Sequence, residues 1–194
     1  MNAELIWSLC LGIGLAASSG FRVFVPLFAL SIASYFGIVP LGESWAWLGS
    51  TSALVILGVA SIAESLSYLV PFVDNLLDSI AVPLAGVAGT LVMASSLAEL
   101  SPAMTWALAI VAGGGAATAV KASAATTRAV STVSTGGVAN PVIGMAETGT
   151  AIGLSALSIF IAPVAAMVAV VGLVLLIWLV MRLKKRLNTK AVGE

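Results

Sequence analysis

At 194 residues, 60% of them hydrophobic and 8% charged, the chain has too little interior to hide its apolar surface from water. Lipid must be much of its solvent, and an ordinary soluble domain is excluded. Formal net charge is zero and histidine is absent, which removes histidine-based acid–base catalysis, histidine metal ligation and Ser-His-Asp triads.

Apolar length marks seven blocks, at about 4–20, 23–38, 51–70, 83–98, 103–122, 140–161 and 163–182. Each is long enough, or nearly so, to cross a hydrocarbon core of ~30 Å as a helix. The first lacks the positive start of a signal peptide, and Glu4 has the wrong sign, so it reads as a retained membrane helix. Its lone thiol, Cys10, rules out an internal disulfide and makes no metal site. Gly12, Ala16 and Gly20 recur on one face, a spacing that lets helices approach closely in lipid. Arg22 follows at the end of this small-residue run.

The second block ends at Gly37 and Pro40, and the third carries Glu64 with Ser61, Ser65 and Tyr68 beside it at helical spacing. That polar face is expected to point into the bundle. After Pro71, Asp74 and Asp78 lie four apart, on one face of a short amphipathic piece at the membrane edge. Two carboxylates so placed either bind a hard cation weakly or form a solvated face. The fifth block carries Gly113-Gly114-Gly115, which lacks the Lys-Ser/Thr and the strand of a phosphate loop. Gly115, Ala119 and Ser123 repeat the small-residue spacing, and Lys121 lies among them.

The polar stretch STVSTGGVANPVIGMAE, 131–147, separates two apolar blocks. Ser134 and Thr135 supply hydroxyls, Gly136 and Gly137 permit a tight turn, Asn140 is placed to cap the next helix and Pro141 to open it. Glu147 follows, with Thr148 next to it. The stretch is either a cytoplasmic loop with a well-capped helix, whose N–H groups are a potential anion site, or a re-entrant loop lining a substrate path. The final block runs into Arg182, Lys184, Lys185, Arg186 and Lys190, five of the eight basic residues. This flank predicts a cytoplasmic C-terminus, and with no basic face elsewhere, nucleic-acid binding is not expected.

The chain also repeats. Trp7 and Trp106 are 99 residues apart, as are Leu9 and Leu108, Ala17 and Ala116, and Arg22 and Lys121. The expected fold is therefore an all-α polytopic membrane helix bundle of six or seven transmembrane segments, with an internal repeat and broken or re-entrant helices. A single transmembrane domain spans about 1–187, divided near 98, with a short tail at 188–194. Six crossings make 23–38 and 123–138 re-entrant or broken and the halves inverted; seven put the two tryptophan helices in the same orientation.

Ionisable side chains inside a membrane are expensive and mark function by default. Arg22, Glu64, Asp74, Asp78, Lys121, Arg128 and Glu147 are the candidates. Glu64 and Glu147 would coordinate or couple an ion or small polar solute, with Arg22 and Lys121 as counter-charges, and Asp74, Asp78 and Asn140 as further ligands. Ser134, Thr135, Gly136 and Gly137 would line the path. The function read from this pattern is a secondary transporter or channel, working as a homodimer. A lipid scramblase or lipid-linked carrier transporter competes with it, as does a membrane assembly or scaffold protein in which the charges only clasp helices together. No enzyme, cofactor or metal is expected.

The segments LAASSGFRVFVPLFAL, AESLSYLVPFVDNLLD and STGGVANPVIGMAE resemble a bacterial membrane family catalogued as domain of unknown function 4126. Ser134 to Pro141 is the most specific part. The resemblance covers nearly the whole chain and implies a multi-pass protein of the bacterial inner membrane. It also implies a lysine-like residue shortly before Pro71, where this chain has Ser67 and Tyr68.

Overall fold

The structure, a computed structural model, describes residues 3–68 and 71–191, except for the side chains of 71–76, 78–79, 176, 179–180 and 183–191. The protein is all-helical, with no strand among the described residues. Its helices are α1 (Ala3–Phe21), α2 (Phe24–Tyr35), α3 (Thr51–Ser67), α4 (Pro71–Ser96), α5 (Pro102–Leu108), α6 (Gly115–Thr135), α7 (Asn140–Phe160) and α8 (Ala162–Ala191). A 3-10 helix, Glu43–Gly49, precedes α3, and a π-helical segment, Ala109–Gly114, joins α5 to α6.

Three helical stretches are long and apolar enough to cross a membrane: Ala3–Phe21, Pro102–Thr135 and Asn140–Phe160. A fourth is reached if the 3-10 helix and α3, bent by 63°, count as one span. Shorter apolar helices occupy Phe24–Tyr35, Ile80–Ser96 and Ala162–Leu175. Large apolar side chains point outward all round: Ile56, Val111, Val142 and Phe160 are each 64–76% exposed. In water that surface would aggregate; against lipid it costs nothing.

Helix α1 is the hub, packing on α4, α6, α7 and α8. Its small residues allow this. A side chain on Gly12 would meet Met93, and one on Gly20 would meet Val120 and the Ala117 carbonyl. Antiparallel pairs build the rest. Phe28 of α2 lies against Gly58 of α3, while Ser34 lies against Gly49. Gly86 and Gly89 of α4 face Thr118 and Ala117 of α6. By contrast α1 and the α5–α6 rod run the same way. The Leu5–Leu9 end of α1 shares a cluster with Ala109, and its Gly20 end meets Val120.

Four expectations change here. The stretch 123–138 is no re-entrant hairpin, because α6 runs unbroken to Thr135. Its polar side chains are absorbed by the helix itself: the hydroxyls of Ser123, Thr126, Thr127, Thr132, Ser134 and Thr135 each donate to the carbonyl four residues back. The stretch 23–38 contains one short helix, α2, with no break inside it. Asp74 and Asp78 do not belong to a separate amphipathic piece. Their backbone forms the first turns of α4, which continues through Pro83; Pro71 is tolerated at the start, and an interior proline is tolerated in membrane helices. Finally, the second small-residue stripe is shifted. Gly115 has open space beside it, whereas Gly113 and Gly114 abut Gly89 and Gly86 of α4.

Candidate functional site

Four buried charges gather where α1 ends, around the side chain of Tyr68. Arg22 is fully buried, and Lys121, Arg128 and Glu147 are 2%, 3% and 6% exposed. The elements present them for simple reasons. Arg22 sits at the break between α1 and α2, held by its N–H to the Ser18 carbonyl. Lys121 and Arg128 lie seven residues apart, two turns of α6, and so share its buried face. Asn140, Gly144, Glu147 and Ala151 form the matching face of α7.

Glu147 is the carboxylate at the centre. Arg22 donates to its Oε2 from Nη1 at 3.0 Å. Arg128 donates from Nε to Oε1 at 3.1 Å and from Nη2 to Oε2. The remaining donors of Arg22 reach Thr148 Oγ1 at 2.9 Å, the Gly144 carbonyl at 2.8 Å and the Phe21 carbonyl at 3.1 Å. This saturation is what a buried guanidinium needs if it is to stay charged.

Tyr68 organises the cations. The Arg22 and Arg128 guanidinium carbons lie 3.9 and 4.3 Å from its ring centroid, and Lys121 Nζ lies 4.7 Å away. Lys121 also donates to the Tyr68 hydroxyl at 2.9 Å. A ring face is negative, so it offsets crowding among like charges and is worth about 2 kcal/mol or more per desolvated cation. Arg22 and Lys121, 99 residues apart in the sequence, therefore meet on one ring.

Glu64 stands apart from this ion-pair network. Its oxygens accept from the backbone N–H groups of Val23 at 2.7 Å and Phe24 at 2.9 Å. These are orphan donors at the start of α2, whose own N-cap residue offers no side-chain cap. The expected pairing of Glu64 with a cation is thus replaced by a cap delivered from α3. Glu64→Ala is expected to lower stability by about 0.5–2 kcal/mol, with Glu64→Gln milder because one acceptor survives; thermal unfolding in detergent measures both.

The other expected site residues fall elsewhere. Gly136 and Gly137 make the α6–α7 turn at φ +65° and +86°. Ser134 and Thr135 are exposed on the last turn of α6. Asn140 does not cap α7: Ala139 is the N-cap, and Asn140 instead donates from Nδ2 to Thr132 Oγ1 at 3.0 Å. The side chains of Asp74 and Asp78 lie outside the described residues. Among those described, no three acidic or cysteine side chains come together to hold a metal. Two members of the cluster carry no expected role: Arg128 stands in the sequence only as one more candidate charge, and Tyr68 only as part of the polar face beside Glu64 and at a departure from the family pattern.

No curated protein and no solved structure matches the chain. A family model described as domain of unknown function 4126 matches residues 9–182. Because that match covers the whole bundle, from α1 to the end of the apolar part of α8, the chain belongs to the domain of unknown function 4126 family.

Proposed function

We propose that the protein is a small multi-pass membrane transporter or channel for an ion or small polar solute, with the Tyr68 cluster as its centre. The observation that carries this is the burial of Arg22, Lys121 and Arg128 around one ring, with Glu147 buried on the two guanidiniums, between helices with lipid-type exteriors. A clasp needs one ion pair; a set of exchangeable ones suits a site whose cargo substitutes for a member. An anion would replace the Glu147 carboxylate on the two guanidiniums, or a proton on Glu147 would release both arginines together.

The span-length helices and the three shorter apolar ones add up to seven crossings in this reading. The parallel course of α1 and α5–α6 favours a repeat of like orientation over an inverted one. The basic C-terminal flank then lies inside with Arg22, Lys121 and Arg128, and Glu43 and Glu99 lie outside. The membrane is the bacterial inner membrane, and the working unit is a homodimer.

The test is flux in liposomes holding the purified protein, followed with an internal pH dye for protons and an internal halide-quenched dye for chloride. Wild type is expected to exceed empty liposomes for at least one, and Glu147→Gln to remove the excess. No excess for either ion, or an excess that survives Glu147→Gln, would overturn the reading. A lipid-handling role is the second reading, favoured by an almost wholly apolar groove of about 550 Å³ between α2, α3 and α7, lined by Phe28, Ile62, Leu66, Ile152 and Phe160, which suits an acyl chain. Accelerated flipping of a fluorescent phospholipid in the same liposomes, without ion flux, would select it.

A further inference from the structure

We infer that the α6–α7 seam holds a water-sized hydrogen-bond donor at Asn140 and forms a hydrated route from the α6–α7 turn to Glu147. This rests on the transport reading in taking Glu147 as the inner end of the route.

The inference starts from an unmatched oxygen. Asn140 is 9% exposed, and its Oδ1 is buried with no hydrogen-bond partner among the described residues. Turning the amide over does not resolve this. The Thr132 hydroxyl spends its hydrogen on the Arg128 carbonyl at 2.9 Å, so towards Asn140 it can only accept, and Nδ2 must be the atom facing it. Oδ1 therefore points into the seam as an acceptor. The nearby backbone donors are taken: the N–H of Asn140 goes to the Gly137 carbonyl, and those of Val142 and Ile143 go to Ala139. A buried acceptor in that position calls for a mobile donor, and water is the donor small enough.

The surroundings give this site a direction. Thr132 and Thr135 are exposed at the turn end, Ser131 and Asn140 are buried one step in, and Arg128 and Glu147 follow. Glu147 lies seven residues beyond Asn140 on the same face of α7, about 10 Å along the axis. Between them the Gly144 carbonyl accepts from Arg22. Polar groups thus recur along this face from the exposed turn to the carboxylate.

Thiol accessibility in the full chain tests this. In a Cys10→Ala background, single cysteines at Thr132, Asn140 and Ile152 are exposed to a membrane-impermeant cationic thiosulfonate in sealed vesicles of each orientation. Only a hydrated thiolate reacts, so Asn140→Cys is expected to label from the Thr132 side, at least about tenfold faster than Ile152→Cys on the outward apolar face. Labelling of Asn140→Cys no faster than Ile152→Cys would overturn the route. If Asn140→Cys does not fold, Ser131→Cys carries the same prediction and the same refutation. Failure here leaves the Glu147→Gln flux comparison intact, whereas absence of flux with normal labelling would count against the transport reading alone.

Discussion

Glu147→Ala is expected to lower unfolding free energy by about 3–5 kcal/mol. The loss comes from what is left behind. Arg22 and Arg128 both donate to this carboxylate, and both are buried. Without it two guanidiniums remain in a low-dielectric interior, each missing a charge-assisted bond, and neither can discharge by losing a proton. Glu147→Gln keeps one acceptor and should lose less. Replacing the network together, as Arg22→Met, Arg128→Met and Glu147→Leu, should cost much less than Glu147→Ala, because apolar groups of similar volume carry no desolvation penalty. Unfolding midpoints in detergent decide the order; a Glu147→Ala variant as stable as wild type would contradict the described network.

Tyr68 gives the second large effect, and its two substitutions separate its two roles. Tyr68→Phe keeps the ring and removes the hydroxyl that accepts from Lys121, a loss of about 1.5–3 kcal/mol for a hydrogen bond to a charged group. Tyr68→Leu also removes the ring face that lies within 5 Å of all three cations, and should cost about 2 kcal/mol more. Pairing Tyr68→Phe with Lys121→Met should give less than the sum of the single losses, since each variant already breaks the same bond. Additive losses would mean that the hydroxyl and the ammonium do not depend on each other.

Much of this fold is legible in the sequence because lipid makes apolar length decisive. The runs in α1, α7 and α8 need no tertiary information, and neither does the glycine turn at Gly136 and Gly137. What hides is anything interrupted by polar residues that the helix satisfies internally. The serines and threonines of α6 read as a loop because composition cannot reveal that each hydroxyl folds onto its own helix. Asp74, Asp78 and Pro83 likewise cut α4 in two on paper, although the helix continues through the proline.

The site divides in the same way. Arg22, Lys121 and Glu147 announce themselves as charges in apolar sequence, and they do meet. Glu64 announces itself equally, yet its partners are backbone N–H groups across the α1–α2 break, which no side-chain pattern encodes. Tyr68 reads as one more polar neighbour of Glu64; only the packing of α1, α3 and α6 reveals three cations around its ring. Asn140 is a good capping residue by type, but the chain enters α7 one residue earlier, at Ala139, leaving the amide free to reach back to Thr132.

The measurement that bears most directly on the central claim is ion flux through the variant carrying Arg22→Met, Arg128→Met and Glu147→Leu, in liposomes beside wild type. If the cluster is the working centre, this variant folds and conducts nothing above empty liposomes. If it folds and carries the wild-type flux, the buried charges only fasten helices together and the site assignment is wrong.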